Sequence, residues 1–554
     1  MEAEAFLSQN KENYEIIEHF QDLINNISSE TFAETIKYVE DHKDIFFKNR
    51  ESAILFLWNI RIFTIYNFTK LEIILDICIH FWSHIKQQNI KEDEIIDHMA
   101  CMRPNVYYLY SKNLFSLDTI IGKSVINESL FAYFYPEIDN YDHEYAEKRK
   151  KNILSNSSNK LLKDFLQYVI LNQEEHKKNR EKHFNPLPLH KAIRDDDIEL
   201  FQSILSKNNY DIDYLFNYSY YERTLTEDST PSLIKIAAVY GSIKIFKFLW
   251  MQPTIVIDDN LICYAISGRN YEIIHICEEK CSDKRALMFS INSNQHELTD
   301  YFIDNIFSEN IQKNEFNEEE EEEDNMYNKL DPSLLLVALE SANYHILLPC
   351  LKKIVSIISI DTNANDFLQA LNFDFNLFKF LFSHKSNGIQ GLNFSNWVFF
   401  GMTDVINYIL KDLEIIEILQ LLNDASCFNP RFFFLIFYFL KINGLISENG
   451  QYKNNDYFTD IGLDENQINE TFHDDMIQFL PHFYNADLIE KISSYLTITK
   501  QKAFLNSLIE ETSTKFINSL FKRKLRFSSD SNEMYQLLKE KKLDEAAEYL
   551  LNNK

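Results

Sequence analysis

The chain contains very few residues that break helices. Nine glycines and ten prolines occur in 554 residues, whereas phenylalanine and tyrosine occur 45 and 30 times. Gly and Pro supply most of the turns that strands and phosphate-binding loops need, so their scarcity favours helices with short connections. The hydrophobic content of 45% is sufficient for a buried core. We therefore predict an all-α protein with more than one domain.

The charge of the chain is strongly negative, with 84 acidic against 55 basic residues and a net charge of −29. Such a charge repels nucleic-acid phosphates and anionic membranes. The most apolar segments are 53–82, which contains charged residues, and 432–440, which is too short to span a bilayer. We expect both to be buried helices, and we predict neither nucleic-acid nor membrane binding.

The cysteines indicate a reducing compartment. Their number is odd and their spacing is irregular, which is typical of buried thiols in a cytoplasmic protein. The N-terminal residues Met1–Ala5 lack the basic stretch of a signal peptide. The seven cysteines are Cys78, Cys101, Cys263, Cys277, Cys281, Cys350 and Cys427.

A short pattern recurs from about residue 186. A small residue within an apolar segment is followed four residues later by a turn residue, and an apolar residue comes two positions after that. The clear copies, given as small residue and turn residue, are Ala192 and Asp196, Ala237 and Gly241, and Ala265 and Arg269. Weaker copies begin at Ser290, Ala338, Ala370 and Trp397, and successive copies are spaced by 45, 28, 25, 48, 32 and 27 residues.

This pattern predicts pairs of short antiparallel helices. The small residue lets the two helices approach closely, and Gly, Asp or Asn between them can adopt the positive φ that ends the first helix. One such pair is too small to bury its own apolar face, so neighbouring pairs must stack.

Two of the copies resemble a known repeat. Ser232–Leu249 is similar to the ankyrin repeat through both helices, and Pro188–Ala192 matches the PLHxA start of that family. Asp211–Asp213 and Val256–Asp258 resemble the loop that follows its second helix. The resemblance implies an ankyrin-type solenoid, in which His190 would form structural hydrogen bonds within and between repeat turns.

The whole chain resembles the large families of divergent ankyrin-repeat proteins of parasitic protists. Ala132–Asp139 and Ala237–Leu249 carry this likeness. Proteins of these families have a helical N-terminal domain of unknown function before their repeats. Several copies in this chain lack the Pro and His of the start motif, which leaves the number of repeats open.

We predict three regions. Residues 1–184 would form the helical N-terminal domain, ending near a polar linker at 141–160, and residues 186–410 would form the divergent ankyrin repeats. The repeats are interrupted by an acidic insertion loop at 311–330. Residues 411–554 would form a helical C-terminal region of further degenerate repeats or a cap, ending in a helix pair.

Three cysteine and histidine residues lie close together in the sequence. His275, Cys277 and Cys281 follow Cys263, but zinc sites are usually built from two matching ligand pairs, and no second pair is present. Cys277 falls on the packing face of a predicted helix, so we favour buried thiols. Gly122-Lys123-Ser124 resembles the end of a phosphate-binding loop, but Leu117 stands where that motif needs Gly.

Two basic clusters are candidates for other roles. The run 148–151 is either a weak nuclear import signal or a solvated helix face. In the second cluster, we expect the aliphatic parts of the Lys and Arg side chains to pack over apolar neighbours, and we do not expect the cluster to bind RNA. It consists of Lys515, Lys522, Arg523, Lys524 and Arg526, with Phe516 and Phe521 between them.

The sequence predicts no catalytic, cofactor-binding or metal-binding residues, and the partner-binding residues are unknown. Motifs of serine hydrolases, zinc proteases and protein kinases are absent from the sequence. We predict a non-enzymatic scaffold that binds a protein partner, favoured if that partner carries basic patches. The alternatives are an adaptor or regulatory subunit of an enzyme complex, and an enzyme with a disguised site in the N- or C-terminal helical region.

Overall fold

The described part of the chain is helical. The computed structural model describes residues 2–99, 102–124, 127–208, 210–216, 219–222, 230–313, 326–360, 364–371, 373–385, 397, 403–409, 505–506, 508–509, 512–522 and 531–552. Within these ranges the backbone is mostly helix, and strand pairing is limited to an isolated antiparallel bridge between Leu215 and Ser232. The predicted all-α class is confirmed. Among these helices, none combines the length and the hydropathy that crossing a membrane requires.

Residues 2–182 form helices α1 to α13, with a 3-10 helix at Phe68–Lys70. Their bounds are Glu2–Asn25 (α1), Phe32–Asp41 (α2), Lys43–Phe46 (α3), Arg50–Tyr66 (α4), Leu71–His80 (α5), Trp82–Gln87 (α6), Glu92–Met99 (α7), Arg103–Ser111 (α8), Leu117–Ser124 (α9), Glu128–Tyr141 (α10), His143–Asn156 (α11), Lys160–Leu171 (α12) and Gln173–Lys182 (α13).

The region with the recurring pattern forms α14 to α25, with a 3-10 helix at Met326–Lys329. The bounds are Pro188–Arg194 (α14), Ile198–Asn208 (α15), Leu233–Val239 (α16), Ile243–Trp250 (α17), Leu261–Gly268 (α18), Tyr271–Glu278 (α19), Asp283–Asn292 (α20), His296–Lys313 (α21), Pro332–Ser341 (α22), Tyr344–Ile360 (α23), Ala364–Ala370 (α24) and Phe375–Phe382 (α25).

The C-terminal part is described in shorter pieces. They include Thr403–Ile409 (α26), Thr514–Lys522 (α27), Ser531–Glu540 (α28) and Asp544–Asn552 (α29). The predicted terminal helix pair is present as α28 and α29, which pack together, with Leu538 and Ala547 fully buried. The acidic run 318–324 and residues 411–500 lie outside the described residues.

The chain divides into two compact units. Unit A comprises residues 1–91, 101–109 and 178–393, and unit B comprises 92–100, 110–177 and 394–554. The predicted N-terminal region 1–184 therefore contributes residues to both units. Its first six helices share unit A with the helix pairs of the recurring pattern.

Polar caps and apolar faces explain where the helices of unit A begin and what they bury. The side chain of Asn49 accepts a hydrogen bond from the Ser52 amide at the start of α4 (2.9 Å), which satisfies one of the unpaired N–H groups there. The apolar segment 53–82 then lies in the core, where Leu57, Ile60 and Phe63 of α4 are fully buried.

Two local predictions are wrong. The polar stretch 141–160 is not a linker, because α11 begins after the capping residue Asp142 and buries Tyr145, Ala146 and Ile153. Its many Lys and Asn residues mark the solvent face of a helix. The second concerns residues 71–85, where the spacing of the apolar residues predicts that they line one face of a single helix. The structure has two helices there, since α5 ends and α6 begins on either side of Phe81. The spaced residues are Leu71, Ile74, Leu75, Cys78, Trp82 and Ile85.

The predicted helix pairs are joined by left-handed turns. The small residues at 192, 237, 265, 290 and 338 are all fully buried. Four residues later, φ is positive at Asp196 (50°), Gly241 (67°), Arg269 (54°), Asn294 (52°) and Ala342 (57°). In four of the five copies the next amide donates to the carbonyl of the small residue, as from Ser242 to Ala237 (2.9 Å), which is a helix-ending Schellman bond. In the copy at Ala265 the Arg269 amide makes this bond itself (3.0 Å).

The weaker copy at Ala370 does not have this turn. Ala370 is buried, but Asp374 has φ −111° and instead caps the start of α25, where its Oδ1 accepts from the Leu377 amide (2.9 Å). The last copy begins at Trp397, which is fully buried, but the turn that would follow lies outside the described residues.

Successive pairs of unit A contact one another through equivalent helices. The first helices α14, α16, α18, α20, α22 and α24 each contact the next, and the second helices α15, α17 and α19 do the same. The approach is closest between α16 and α18, where a Cβ at Gly268 would lie 2.0 Å from the Ala238 carbonyl oxygen. A side chain at position 268 is therefore incompatible with this packing.

Candidate interaction surface

The helix pairs of unit A have two ends that differ in chemistry. We call the end with the left-handed turns the turn side; it comprises residues 195–197, 240–242, 268–270, 293–295 and 341–343. The opposite end, the loop side, comprises the segments 185–187, 209–231, 251–260 and 279–282, which precede a first helix or join a second helix to the next pair. Residues 209, 217–218 and 223–229 of the loop side lie outside the described part.

The turn side is bound by polar side chains of α1. The Asn25 side chain donates to the Asn294 carbonyl, and the Arg269 guanidinium donates to both the backbone and side-chain oxygens of Asn25. Gln21 donates to the Ala342 carbonyl (2.7 Å). Each of these contacts reaches a residue with positive φ. They satisfy carbonyls that a helix C-terminus leaves without intrahelical partners.

Helix α4 and its C-terminal end add further contacts on this side. The Trp58 indole donates to the Glu340 carbonyl (3.3 Å), and the Ser267 hydroxyl donates to the Tyr66 carbonyl (2.9 Å). Aromatic pairs join the same two regions. Their ring centroids lie 4.1 Å apart for Phe6 and Phe380, 4.7 Å for Tyr14 and Tyr344, 5.3 Å for Trp58 and Phe373, 5.4 Å for Tyr66 and Phe289, and 5.8 Å for Phe68 and Tyr240.

The loop side instead exposes apolar side chains. Met251 is 78% and Val256 is 81% exposed, and both lie in the segment between α17 and α18. Leu187, Tyr210 and Leu215 are further exposed residues at this end. Exposed large apolar side chains at the same end of the helix pairs favour a binding surface there.

The same end carries an excess of exposed carboxylates. They are Asp211, Asp213, Asp258, Asp259 and Glu279. Of these carboxylates, Asp258 pairs with the buried Lys235 (2.6 Å). The Lys280 ammonium lies over the Trp250 ring (4.5 Å), and Lys284 pairs with Asp331 (2.6 Å). The loop side therefore offers apolar contact area within a negative field.

Comparison with protein-family models, curated proteins and solved structures finds no match to this chain. Its function must therefore be inferred from its own residues.

The predicted structural histidine lies beside a buried carboxyl group. His190 is 1% exposed, and its Nδ1 lies 3.8 Å from Oε2 of Glu222, which is 3% exposed. Glu222 accepts hydrogen bonds from the Asn185 amide (2.6 Å) and the Tyr240 hydroxyl (2.5 Å). Glu222 thus ties the loop between α15 and α16 to the helices beside it, a contact that the sequence did not predict.

Burial shifts both titrating groups of this cluster toward their neutral forms. It raises the pKa of Glu222 to about 7, although the hydrogen bonds from Tyr240 and Asn185 oppose the shift. Burial and the charge of Arg194 lower the pKa of His190 to about 3. The pair resembles an acid–base couple in its pKa values, but both side chains are enclosed, so a substrate does not reach them.

A cavity of about 630 Å³ lies between α1, α3, α4 and α25. Its lining is mostly polar and aromatic, and it contains neither histidine nor cysteine. The buried Asp374 at its edge is already engaged, because its Oδ2 accepts a hydrogen bond from the Tyr344 hydroxyl (2.8 Å). Burial raises the pKa of this carboxyl group. The arrangement suits the capping of α25 better than acid–base catalysis.

The cysteine and histidine candidates do not converge. The His275 ring is exposed and contacts Glu278 (2.7 Å), whereas Cys277 is fully buried. The hydrogen bond with Cys281 and burial raise the pKa of the Cys277 thiol, and the same hydrogen bond lowers the pKa of Cys281. The two thiols therefore interact with each other, while His275 points elsewhere.

The Gly122-Lys123-Ser124 segment lies at the wrong end of a helix for phosphate binding. It forms the last turn of α9, whereas phosphate-binding loops precede a helix N-terminus. Lys123 pairs with Asp97 (2.6 Å), and the buried Ser124 hydroxyl donates to the Ile121 carbonyl (2.7 Å). Both side chains thus have structural partners.

The described residues of the two basic clusters belong to packed helices of unit B. Lys148 of α11 donates to the Thr512 carbonyl (2.7 Å) and pairs with Glu144 (3.2 Å). Lys515 of α27 lies over the Tyr141 ring (3.7 Å), and Phe516 and Phe521 are buried. Arg523, Lys524 and Arg526 lie outside the described residues.

Proposed function

We propose that this chain is a non-catalytic protein–protein interaction scaffold built on a divergent ankyrin-type solenoid. The observation that carries the proposal is the contrast between the two ends of the helix pairs. The N-terminal helices occupy the turn side, whereas the loop side exposes Met251 and Val256 among carboxylates. In this proposal, a partner with an apolar patch rimmed by basic residues binds the loop side.

The ankyrin part of the proposal is supported by the regularity of the turns. Positive φ recurs four residues after each small residue from 192 to 338, and the first helices contact one another in order. Repeats of this kind present their loops and first helices to partners. The family resemblance to divergent protist ankyrin proteins belongs to the same proposal.

A cytoplasmic location is also part of the proposal. The described cysteines are free thiols, and Cys78, Cys277 and Cys350 are buried. Burial raises the pKa of the Cys78 and Cys350 thiols to about 12, which makes them unreactive. The import interpretation of the run 148–151 has less support, because Lys148 is engaged with Thr512 and Glu144.

The alternative functions have weaker support. An active site needs titrating groups that a substrate can reach, and within the described residues the acid–base couple of Glu222 and His190 is enclosed. An adaptor or regulatory subunit of an enzyme complex would use the same loop side, so it is distinguished only by the identity of its partner.

The test compares two matched double variants of the full chain. V256S/D259K alters the loop side, and L200S/E199K makes the same kinds of change on the exposed face of α15. Partners of the wild-type chain are identified by cross-linking in cells, and the binding of the purified partner is then measured at low and high salt. We expect V256S/D259K to weaken binding at least about tenfold, and high salt to weaken wild-type binding.

The control variant should bind like the wild type. Equal binding by V256S/D259K and the wild type would contradict the assignment of the loop side. A partner without a basic surface, or an affinity that does not depend on salt, would contradict the electrostatic part of the proposal.

A further inference from the structure

Two histidines and three carboxylates meet where α1 lies against the start of α21 and α23. Glu18 and Asp22 come from α1, His296 and Asp300 from α21, and His345 from α23. One ligand atom each of Glu18, His296 and His345 lie within 4.8 Å of one another. The sequence did not predict this cluster, because its members are separated by up to 327 residues.

The two imidazole rings are held in parallel by carboxylates. Their centroids are 4.8 Å apart with an interplanar angle of 16°. His345 contacts Oε1 of Glu18 through Nδ1 (2.8 Å) and Oδ1 of Asp300 through Nε2 (2.7 Å). Asp22 lies 2.8 Å from Nδ1 of His296. Three carboxylates thus surround two imidazoles.

His296 is not satisfied by this arrangement. Its side chain is only 6% exposed, and neither ring nitrogen makes a hydrogen bond, although Oδ1 of Asp22 lies 2.8 Å from Nδ1. A buried imidazole without hydrogen bonds destabilises the folded state, because it loses its contacts with water and gains none in return. This position therefore lacks a partner that a bound ligand could supply.

We propose that Glu18, His296 and His345 bind a divalent transition-metal ion of the zinc class. Two imidazoles and one carboxylate are a ligand set that zinc uses. Asp300 contacts Nε2 of His345, the ring nitrogen opposite the one that faces Glu18, as do the carboxylates that orient metal-bound imidazoles. Tetrahedral zinc separates its ligand atoms by about 3.4 Å. On binding, separations of up to 4.8 Å within the cluster would shorten, and the 2.8 Å contact between Glu18 and His345 would lengthen.

The ion would fasten the N-terminal helix to the helix pairs. Its ligands come from α1 on one side and from α21 and α23 on the other, so binding joins parts of unit A that are distant in sequence. Half-exposed Asp22 and Asp300 give the ion a route from solvent. The site is independent of the proposed partner surface, because it lies at the turn side.

A salt bridge without metal is the competing explanation. Burial disfavours the charged form of His345, but the hydrogen bonds to Asp300 and Glu18 outweigh it and raise its pKa to about 9. A protonated His345 would satisfy both carboxylates. It would leave His296 without a hydrogen bond, and it predicts no response of the protein to zinc.

The experiment measures zinc binding and thermal unfolding of the chelator-treated full chain. We expect one zinc ion bound per wild-type chain and a higher Tm with zinc. The variants E18Q and H345N should bind at least about tenfold more weakly and lose the Tm increase. Cobalt should give visible absorption typical of nitrogen and oxygen ligands in the wild type but not in H345N.

A second cluster in unit B provides the matched control. Asp139, His143 and Glu147 also lie within 4.8 Å of one another, but the His143 side chain is 74% exposed. H143N should retain the zinc affinity and the Tm increase. The proposal is overturned if the wild type does not bind zinc, or if H143N loses zinc binding while E18Q and H345N retain it.

Folding of the variants is checked separately. E18Q keeps the shape of a side chain that is 24% exposed, so its zinc-free helix content and Tm should remain close to those of the wild type. E18Q therefore decides the test if H345N does not fold.

Discussion

The turn side and the loop side of the helix pairs belong to the same repeated element but have opposite environments. On the turn side, Gln21 and Asn25 of α1 bind the carbonyls of Ala342 and Asn294. On the loop side, Met251 and Val256 remain exposed. The N-terminal helix thus covers the turns at Arg269, Asn294 and Ala342. Because both ends occur in every helix pair, the repeat pattern does not tell them apart. Exposure to solvent does, since a covered end is structural and an exposed end is available for binding.

The largest effect is expected where the first helices touch. Replacing Gly268 by Val places a Cβ 2.0 Å from the Ala238 carbonyl, so α16 and α18 must separate. We expect a loss of more than about 3 kcal/mol in the free energy of unfolding, measured with urea. Gly241→Ala is the comparison, because its Cβ would lie 3.3 Å from the Gly268 carbonyl oxygen, a tight contact without the overlap at Gly268, and its φ of 67° is strained. It should cost about 1–2 kcal/mol. Equal losses would contradict the close approach of α16 and α18.

The anchored loop between α15 and α16 should respond to pH. Burial raises the pKa of Glu222 from 4.5 to about 7, so between these values the unfolded chain loses its proton first, and the carboxyl group increasingly destabilises the folded state. E222Q cannot ionise, so its stability relative to the wild type should rise from pH 4.5 to pH 7 by up to about 3 kcal/mol.

The difference in the free energy of unfolding between E222Q and the wild type reports the ionisation of Glu222 alone. His190, with a lowered pKa, has the opposite pH dependence but is present in both. Unfolding curves at several pH values measure the difference. A constant difference across this range would show that Glu222 ionises normally in the folded chain.

On the turn side, Asn25→Leu should destabilise the protein by about 2 kcal/mol. The change removes the donor to the Asn294 carbonyl and one acceptor of the buried Arg269 guanidinium. Asn26 is the adjacent, exposed control, and Asn26→Leu should change the free energy of unfolding by less than about 0.5 kcal/mol. Thermal and urea unfolding compare the two. Similar losses in the free energy of unfolding for both variants would show that the contacts of Asn25 do not stabilise the turn side.

The smallest effect on stability is expected on the loop side. V256S/D259K alters two exposed residues, so the free energy of unfolding should change by less than about 0.5 kcal/mol. This variant is the one expected to lose partner binding. A loss of stability comparable to that of Asn25→Leu would mean that the loop side is structural too.

Local features of the fold were predictable because they depend on neighbours within a few residues. The spacing from Ala237 to Gly241 predicted a positive-φ turn, and it is present there and at Asp196 and Arg269. The linker prediction at 141–160 was wrong because composition does not distinguish a solvated helix face from a linker. The buried Tyr145, Ala146 and Ile153 were the signal that could have identified α11.

Contacts between distant residues were not predictable. Glu222, Asn25 and the His296–His345 cluster carry no local motif, and their roles arise only when separate helices meet. Gln21 and Asn25 did offer a weak signal, since they lie on the same face of α1 as the buried Ile17, Phe20 and Ile24. Polar residues on an apolar helix face require partners, but the sequence does not name them.

By itself, the sequence determined the all-α class and the left-handed turns of the helix pairs, since capping, turn geometry and apolar spacing act between residues close along the chain. Only the tertiary structure decided which end of the pairs is covered. That choice depends on contacts such as Arg269 with Asn25, which are 244 residues apart. Such contacts form when helices pack, because unpaired carbonyls and buried charges must find partners wherever the fold brings them.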